Sequence, residues 1–279
     1  MRRGTINLNK HMTEGMRFRN KLAYDLIRGI PQMVGLRTQF VHLYVKDNTE
    51  EPGGKFEDYG IYTQVEQLNK TALKSHGLDS NGQLYKINSF EFYRYEDIIK
   101  KEDDAGYDKT AFEKMLEIKG DSDHTKLIDM LTDLNDYSIG IEEVLKEHFD
   151  EENIVYWMAF QILMGNVDTQ NRNVYLYSPL NSDIWYFIAW DNDGCLMRPE
   201  YELRNFSDQN SWEKGISNYW GNILFQRCLK SRSFREKLND AILDLREYLN
   251  KDMLTSKIES YKNVLKPYLY SFWMPSINS

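Results

Sequence analysis

Two runs decide the reading of this chain: Gly165-Asn166-Val167-Asp168-Thr169-Gln170-Asn171-Arg172-Asn173-Val174-Tyr175-Leu176-Tyr177, and Trp185-Tyr186-Phe187-Ile188-Ala189-Trp190-Asp191-Asn192-Asp193-Gly194. Each joins a polar loop to a stretch of aromatic and β-branched residues, and the connection 178–184 between them is rich in Ser, Pro, Asn and Asp, so the pair reads as a β-hairpin. Antiparallel pairing about that connection sets Tyr177 opposite Trp185 and Asn173 opposite Ala189. Asn173 and Asp191 then leave the ribbon at the same end, within one or two strand spacings of about 5 Å. The apolar run from Glu152 to Met164 before the loop predicts a buried helix, with Gly165 suited to the left-handed position that ends it. Asp168, on the loop leaving that helix, has the reach to join Asn173 and Asp191.

Three carboxylates gathered this way, Asp168, Asp191 and Asp193, repel one another unless a cation or a raised pKa relieves them. With amide oxygen nearby and no His or Cys in the two runs, the donor set favours Mg²⁺, Mn²⁺ or Ca²⁺ over zinc or copper. Mg²⁺ shared between such side chains and substrate phosphates is a common use of such a set. The order Asp168, Asn173 five residues further on after the intervening x-x-x-x, then Asp191 beyond a strand pair, repeats the protein-kinase order in which an Asp orients the acceptor hydroxyl and an Asn and a later Asp hold metal. Asp193, followed by Gly194, reads equally as a turn residue. Arg172 reads as a phosphate contact or a surface ion pair.

Working outward, helical spacing over Phe18–Ile30 predicts a helix stopped by Pro31, and strands are expected over 38–45 and 60–65 across a long loop. A short helix over 68–76, a strand over 83–87 and a helical stretch over 110–118 complete a mixed first half. Helices are expected over 125–134, 141–148, 233–250 and 253–268. The 279 residues, 41% apolar, are enough for a sizeable core. With 43 acidic residues against 35 basic, the formal charge is −8, and no basic stripe interleaved with aromatics appears, so nucleic acid is not an expected partner. The most apolar stretch, 157–164, falls far short of the roughly 20 residues a membrane-spanning helix needs, and Met1–Lys10 carries no apolar stretch of secretory type. Cys195 and Cys228 show no metal or disulfide spacing, and the five His show no ligand spacing.

The two runs, together with Arg19-Asn20-Lys21-Leu22-Ala23, Gly60-Ile61-Tyr62-Thr63-Gln64-Val65-Glu66-Gln67 and Gly82-Gln83-Leu84-Tyr85-Lys86 upstream, resemble the spore coat protein H (CotH) kinase family in the same order, over about residues 17–195. The resemblance implies an α+β, atypical protein-kinase-like fold of two lobes, with residues 1–92 as an abbreviated N-terminal lobe and 93–279 as a mainly helical C-terminal lobe carrying the catalytic hairpin at 165–195. It implies transfer of phosphate from ATP, with Mg²⁺ or Mn²⁺, to Ser/Thr-rich protein segments, in spore coats or at microbial surfaces. By that resemblance Asp168 is the catalytic Asp, Asn173 and Asp191 the metal ligands, and Asp193 a further acidic group at the metal. Glu66, Lys86 and Arg172 are the candidates for the nucleotide. Family members carry an Arg-x-Arg-Gly-x-Ser-Ser-like stretch and a Lys-rich strand region ahead of the segment matching Arg19. This chain has only Arg2-Arg3-Gly4-Thr5 and no GxGxxG, so a fragment or an abbreviated nucleotide cradle is expected. The rival readings are a non-catalytic coat or surface module that keeps the fold, and a small-molecule phosphotransferase or metal-dependent phosphodiesterase.

Overall fold

In the computed structural model, which describes residues 5–10, 18–49, 53–166, 168–196 and 219–269, the hairpin becomes the edge of a four-stranded antiparallel sheet. Its order is β5 (Leu116–Ile118), β4 (Gln83–Ile87), β6 (Val174–Ser178) and β7 (Tyr186–Ala189). A second sheet sets β3 (Glu57–Val65) between β1 (Asn7–Asn9) and β2 (Thr38–Val45). The described helices are α1 (Arg19–Ile27), α2 (Lys70–Ser75), α3 (Lys109–Met115), α4 (Thr125–Asn135), α5 (Ile141–His148), α6 (Glu151–Leu163), α7 (Ile223–Lys230), α8 (Arg232–Tyr248) and α9 (Lys251–Leu269). The fold is α+β, as the pattern predicts.

Period-two alternation explains why the four-stranded sheet separates two cores. Tyr85 and Ile87 of β4, Val174 and Leu176 of β6, and Phe187 and Ala189 of β7 face the larger core, which takes in α1 and α4–α8 around Trp157, Phe160 and Phe225. Leu84, Tyr175, Tyr177 and Ile188 face the other way, onto Tyr24 of α1, Val65 of β3, Ala72 and Leu73 of α2, and Leu36 and Leu68 in the connections beside them. Trp157, fully buried and stacked on Phe225 at 5.5 Å, is a central piece of the larger core. β4 lies before residue 92 and β6 after it, so the sheet runs across the point where the sequence divides the expected lobes.

The hairpin differs from expectation by one residue of register. Tyr177 pairs with Tyr186, and Val174 with Ala189, so Asn173 lies opposite Trp190 and not Ala189. Trp185 causes the slip. Its N–H donates to the His148 carbonyl at 2.8 Å and its own carbonyl accepts from Asp150 N–H at 3.1 Å, so it pairs with the α5–α6 turn and is lost to β7. Lys126 fixes the far end: its ammonium lies 5.7 Å over the Trp185 ring and donates to the carbonyls of Pro179 and of Ser182, the latter at 2.8 Å. On the open edge of β7, the buried Asn153 of α6 stands in for a neighbouring strand. Its Oδ1 accepts from Phe187 N–H at 2.7 Å, and its Nδ2 donates to the carbonyls of Phe187 and Gln32 at 3.3 and 2.9 Å. Such pairing removes an open edge that would otherwise leave polar backbone buried and unsatisfied.

Other boundaries move for local reasons. The helix expected over 18–30 ends at Ile27, and 28–33 form turns ahead of β2. The stretch 110–118 divides at Leu116, whose extended backbone starts β5 beside β4. β1 and α7 are absent from the expectations: β1 is three residues long, and α7 spans only two turns. No described helix is long and apolar enough to cross a membrane.

Candidate active site

α6 delivers the loop. It ends at Leu163, and Gly165 takes the left-handed conformation, φ +56°, as its position predicts. Asn166, fully buried, then braces the turn: its Nδ2 donates to Gln161 Oε1 at 2.8 Å and its Oδ1 accepts the Asp168 N–H at 3.2 Å. The Asp168 carboxylate receives two partners. Arg172 Nε donates to Oδ1 at 2.6 Å, and Asn173 Nδ2 donates to Oδ2 at 3.0 Å and to the Asp168 carbonyl at 2.9 Å. Asp168, Arg172 and Asn173 are therefore brought together, with Asp168 partly open to solvent.

Asn173 and Asp191 sit at the mouth of the hairpin, joined through Trp190, whose N–H donates to the Asn173 carbonyl at 3.1 Å. Both adopt positive φ, +58° and +49°. For non-glycine residues this backbone is uncommon, and where surrounding contacts hold it the strain is characteristic of functional turns. Asp191 is held by Tyr24 of α1, whose hydroxyl accepts its N–H at 2.9 Å. The next amide, Asn192 N–H, donates to Asn20 Oδ1 of the same helix at 3.0 Å. Asn192–Gly194 then form one 3₁₀ turn that carries Asp193. Gly194 is required here for its lack of a side chain: a Cβ would come within 2.5 Å of Asn166 Oδ1 and 3.3 Å of Asp168 Cβ. The two acidic segments pack directly on each other because of it.

Electrostatics bind these residues into one site. Burial, then Asp193, then Asp168 push the Asp191 carboxyl up to about 6, while Lys86 pulls it down. Lys86 occupies the middle of the sheet on β4, paired in register with Tyr175 of β6 and Glu117 of β5. Glu66 is elsewhere. Its carboxylate receives Arg37, through N–H at 3.1 Å and Nε at 3.0 Å, and His76 Nε2 at 2.8 Å, and it lines a polar cavity of about 510 Å³ with Arg37, Thr38, Gln64 and Asn69. These bonds outweigh the opposing effect of burial and hold the Glu66 carboxyl down at about 2. Gln67, on the same cavity wall, lies near the Tyr175 hydroxyl of the sheet carrying Lys86.

Among the described residues no three His, Cys, Asp or Glu side chains converge closely enough to hold a metal by themselves. The donor chemistry nevertheless fits a hard divalent ion whose shell is completed by phosphate and water. A half-buried carboxyl raised by burial and by two neighbouring carboxylates is negative charge that a cation relieves, and the Asn173 amide, donating to Asp168, has its oxygen to offer. Asn20, Tyr24 and the steric part of Gly194 were not legible as site residues. The signal was present in Asn20 and Tyr24, a polar pair four apart on an otherwise apolar helix face.

The remaining chemistry-bearing groups are accounted for structurally. His124 is buried between Tyr85, which bonds it at 2.7 Å, and Phe112, which stacks on it at 4.2 Å. His148 bonds Asp133 at 2.7 Å, and both cysteines are buried and unbridged. No curated protein matches the chain significantly. The family model described as CotH kinase protein matches residues 2–273, further in both directions than the 17–195 covered by the ordered motifs. With a match over nearly its whole length, the chain belongs to the CotH kinase family.

Proposed function

We propose that the chain is a CotH-like protein Ser/Thr kinase that moves the γ-phosphoryl group of ATP onto protein hydroxyls. The observation that carries this reading is the hydrogen-bonded Asp168–Asn173 pair, packed through Gly194 against the turn of the half-buried, charge-strained Asp191. Asn173 and Asp191 are the residues to hold Mg²⁺ or Mn²⁺, with Asp193 adding negative charge beside them. The ion when bound neutralises the charge that develops on the phosphates. Asp168 orients the acceptor hydroxyl and takes its proton as the hydroxyl oxygen bonds to phosphorus and the bond to the ADP oxygen breaks. Asn173 and Arg172 fix the carboxylate for that role, and Arg172 swings to the phosphates when they arrive. Lys86 supplies positive charge toward Asp191 and the nucleotide, and Glu66 orders Arg37 beside the polar cavity, where part of the nucleotide lies. In this reading residues 1–92, with the three-stranded sheet, α1, α2 and β4, make the abbreviated N-terminal lobe, and residues 93–279 the mainly helical C-terminal lobe that carries the hairpin.

The Arg172–Asp168 ion pair favours one rival, a surface module that keeps the fold without turnover, because it occupies the oxygen that would receive the proton. Labelled ATP, Mg²⁺ and a Ser/Thr-rich acceptor separate the two. Transfer by the native protein and its loss by at least about 100-fold in Asp168→Ala support the kinase. Equal transfer by both proteins removes Asp168 from the role. Absence of Mg-ATP binding in calorimetry establishes the non-catalytic module.

A further inference from the structure

α1 buries more polar chemistry than a packing helix needs. Asn20, Lys21 and Tyr24 are buried, and Lys21 is ion-paired with Asp25 at 2.9 Å one turn on. A buried ion pair is weak evidence for stability, because desolvation offsets much of the attraction, so its retention calls for another account.

The partners supply one. Residues 20 and 24 share one helix face, and 21 and 25 the adjoining one, about 100° round. The first face reaches the site: Asn20 and Tyr24 accept the two backbone N–H groups of Asn192 and Asp191. The second reaches outward. Asp25 accepts from the Tyr261 hydroxyl of α9 at 2.5 Å and from the Thr38 hydroxyl of β2 at 2.8 Å. The Lys21 ammonium lies 5.3 Å from both the Phe40 and Tyr261 rings, a cation held between two aromatic faces. Phe18, next to α1, and Phe40 each pack on the Tyr261 ring as well, at 5.7 and 5.5 Å. One nine-residue helix therefore touches both the turn that carries Asp191 and the last described helix, with no other element between.

We propose that α1 is a strut through which the C-terminal helix sets the geometry of the carboxylate turn, with Tyr261 and Asp25 as positioning residues for Asp191, acting through Asn20 and Tyr24. A turn held at positive φ depends on such external bonds, since its own backbone does not prefer that conformation. Removing the Tyr261 hydroxyl leaves Asp25 short of a donor, loosens α1 against α9 and lets the 191–192 amides part from their acceptors. The role of the turn in metal binding rests on the proposed kinase function; the strut itself does not.

The test is amide hydrogen exchange by mass spectrometry on the full chain, comparing the native protein with Tyr261→Phe, Asp25→Asn and Tyr156→Phe. The last removes a like tyrosine–carboxylate bond, Tyr156 to Asp244 at 2.8 Å, on the far side of α6. Peptides containing residues 190–195 should exchange about 10-fold faster in the first two variants, with β4 and α6 peptides unchanged and the control like the native protein. Unchanged exchange over 190–195 in Tyr261→Phe, or equal acceleration in every peptide, overturns the strut. Where the native protein transfers phosphate, the Mg²⁺ concentration for half-maximal transfer should rise about 10-fold in Tyr261→Phe and not in Tyr156→Phe; an unchanged requirement overturns the positioning role. Faster local exchange in a protein that transfers no phosphate keeps the strut and rejects the kinase reading.

Discussion

Asp191→Asn should make the metal-free protein more stable near neutral pH even as it removes a proposed metal ligand. Moving a carboxyl from its ordinary 3.8 to about 6 costs the ionised form about 3 kcal/mol at about 1.36 kcal/mol per tenfold change. Allowing for the solvent the side chain still meets, about 2 kcal/mol is the expected gain for the isosteric amide. The sign follows from linkage. A carboxyl whose folded value lies above its unfolded one binds its proton more tightly in the native state, so the penalty is absent well below pH 4, grows between about pH 4 and pH 6, and is complete above. Urea denaturation of both proteins in a chelator, at pH 4.5 and pH 7.5, measures it. The variant should exceed the native protein by less than about 1 kcal/mol at the lower pH, where only about a third of the penalty has developed, and by about 2 kcal/mol at the higher, and Mg²⁺ with ATP should raise the native protein's midpoint more than the variant's. A variant less stable than the native protein at pH 7.5 would show that Asp191 makes a favourable contact as an anion, and the charge-strain account of the site would be wrong.

Asn153→Ala should cost about 3–4 kcal/mol in the same assay, because the Phe187 N–H and carbonyl and the Gln32 carbonyl lose their partner together; a loss below about 1 kcal/mol means β7 finds another partner. Gly194→Ala drives a Cβ into the Asn166 side-chain oxygen and against Asp168 Cβ and should cost about 1–3 kcal/mol and most of any transfer activity, which denaturation and the labelling assay read side by side. His124 is held neutral by burial, its pKa lowered from the ordinary 6.5, so it contributes stability that is complete above that value and lost as acid reaches its folded pKa. In an NMR titration its ring should stay neutral below pH 6.5, where an ordinary imidazole is already charged, and titration at the ordinary value would contradict its burial.

Reading the sequence reached the site by one route and the fold by another. The hairpin was legible because two strand-forming runs flank a turn-rich connection, and Asp168, Asn173 and Asp191 were legible because they flank those runs. Register was not legible: Trp185 has the same strand preference as its neighbours, and only the presence of the α5–α6 turn beside it decides that it pairs there. The parts of α1 were equally hidden. Asn20 and Tyr24 bond residues some 170 positions away, and nothing within nine residues of helix specifies which backbone amides they will meet.

What the chain order alone determined was the alternation that makes the strands, the helix stop at Gly165 and the identity of the oxygen donors, since these depend on neighbours a few residues apart. The tertiary structure decided which donors share an environment: that Arg172 and Asn173 grip Asp168, that Glu66 is bound to Arg37 and His76, and that Asp191 is pressed between burial and like charge. Those outcomes depend on distances through space and on desolvation, and both are set only when the sheet, α1 and the loop close around one another.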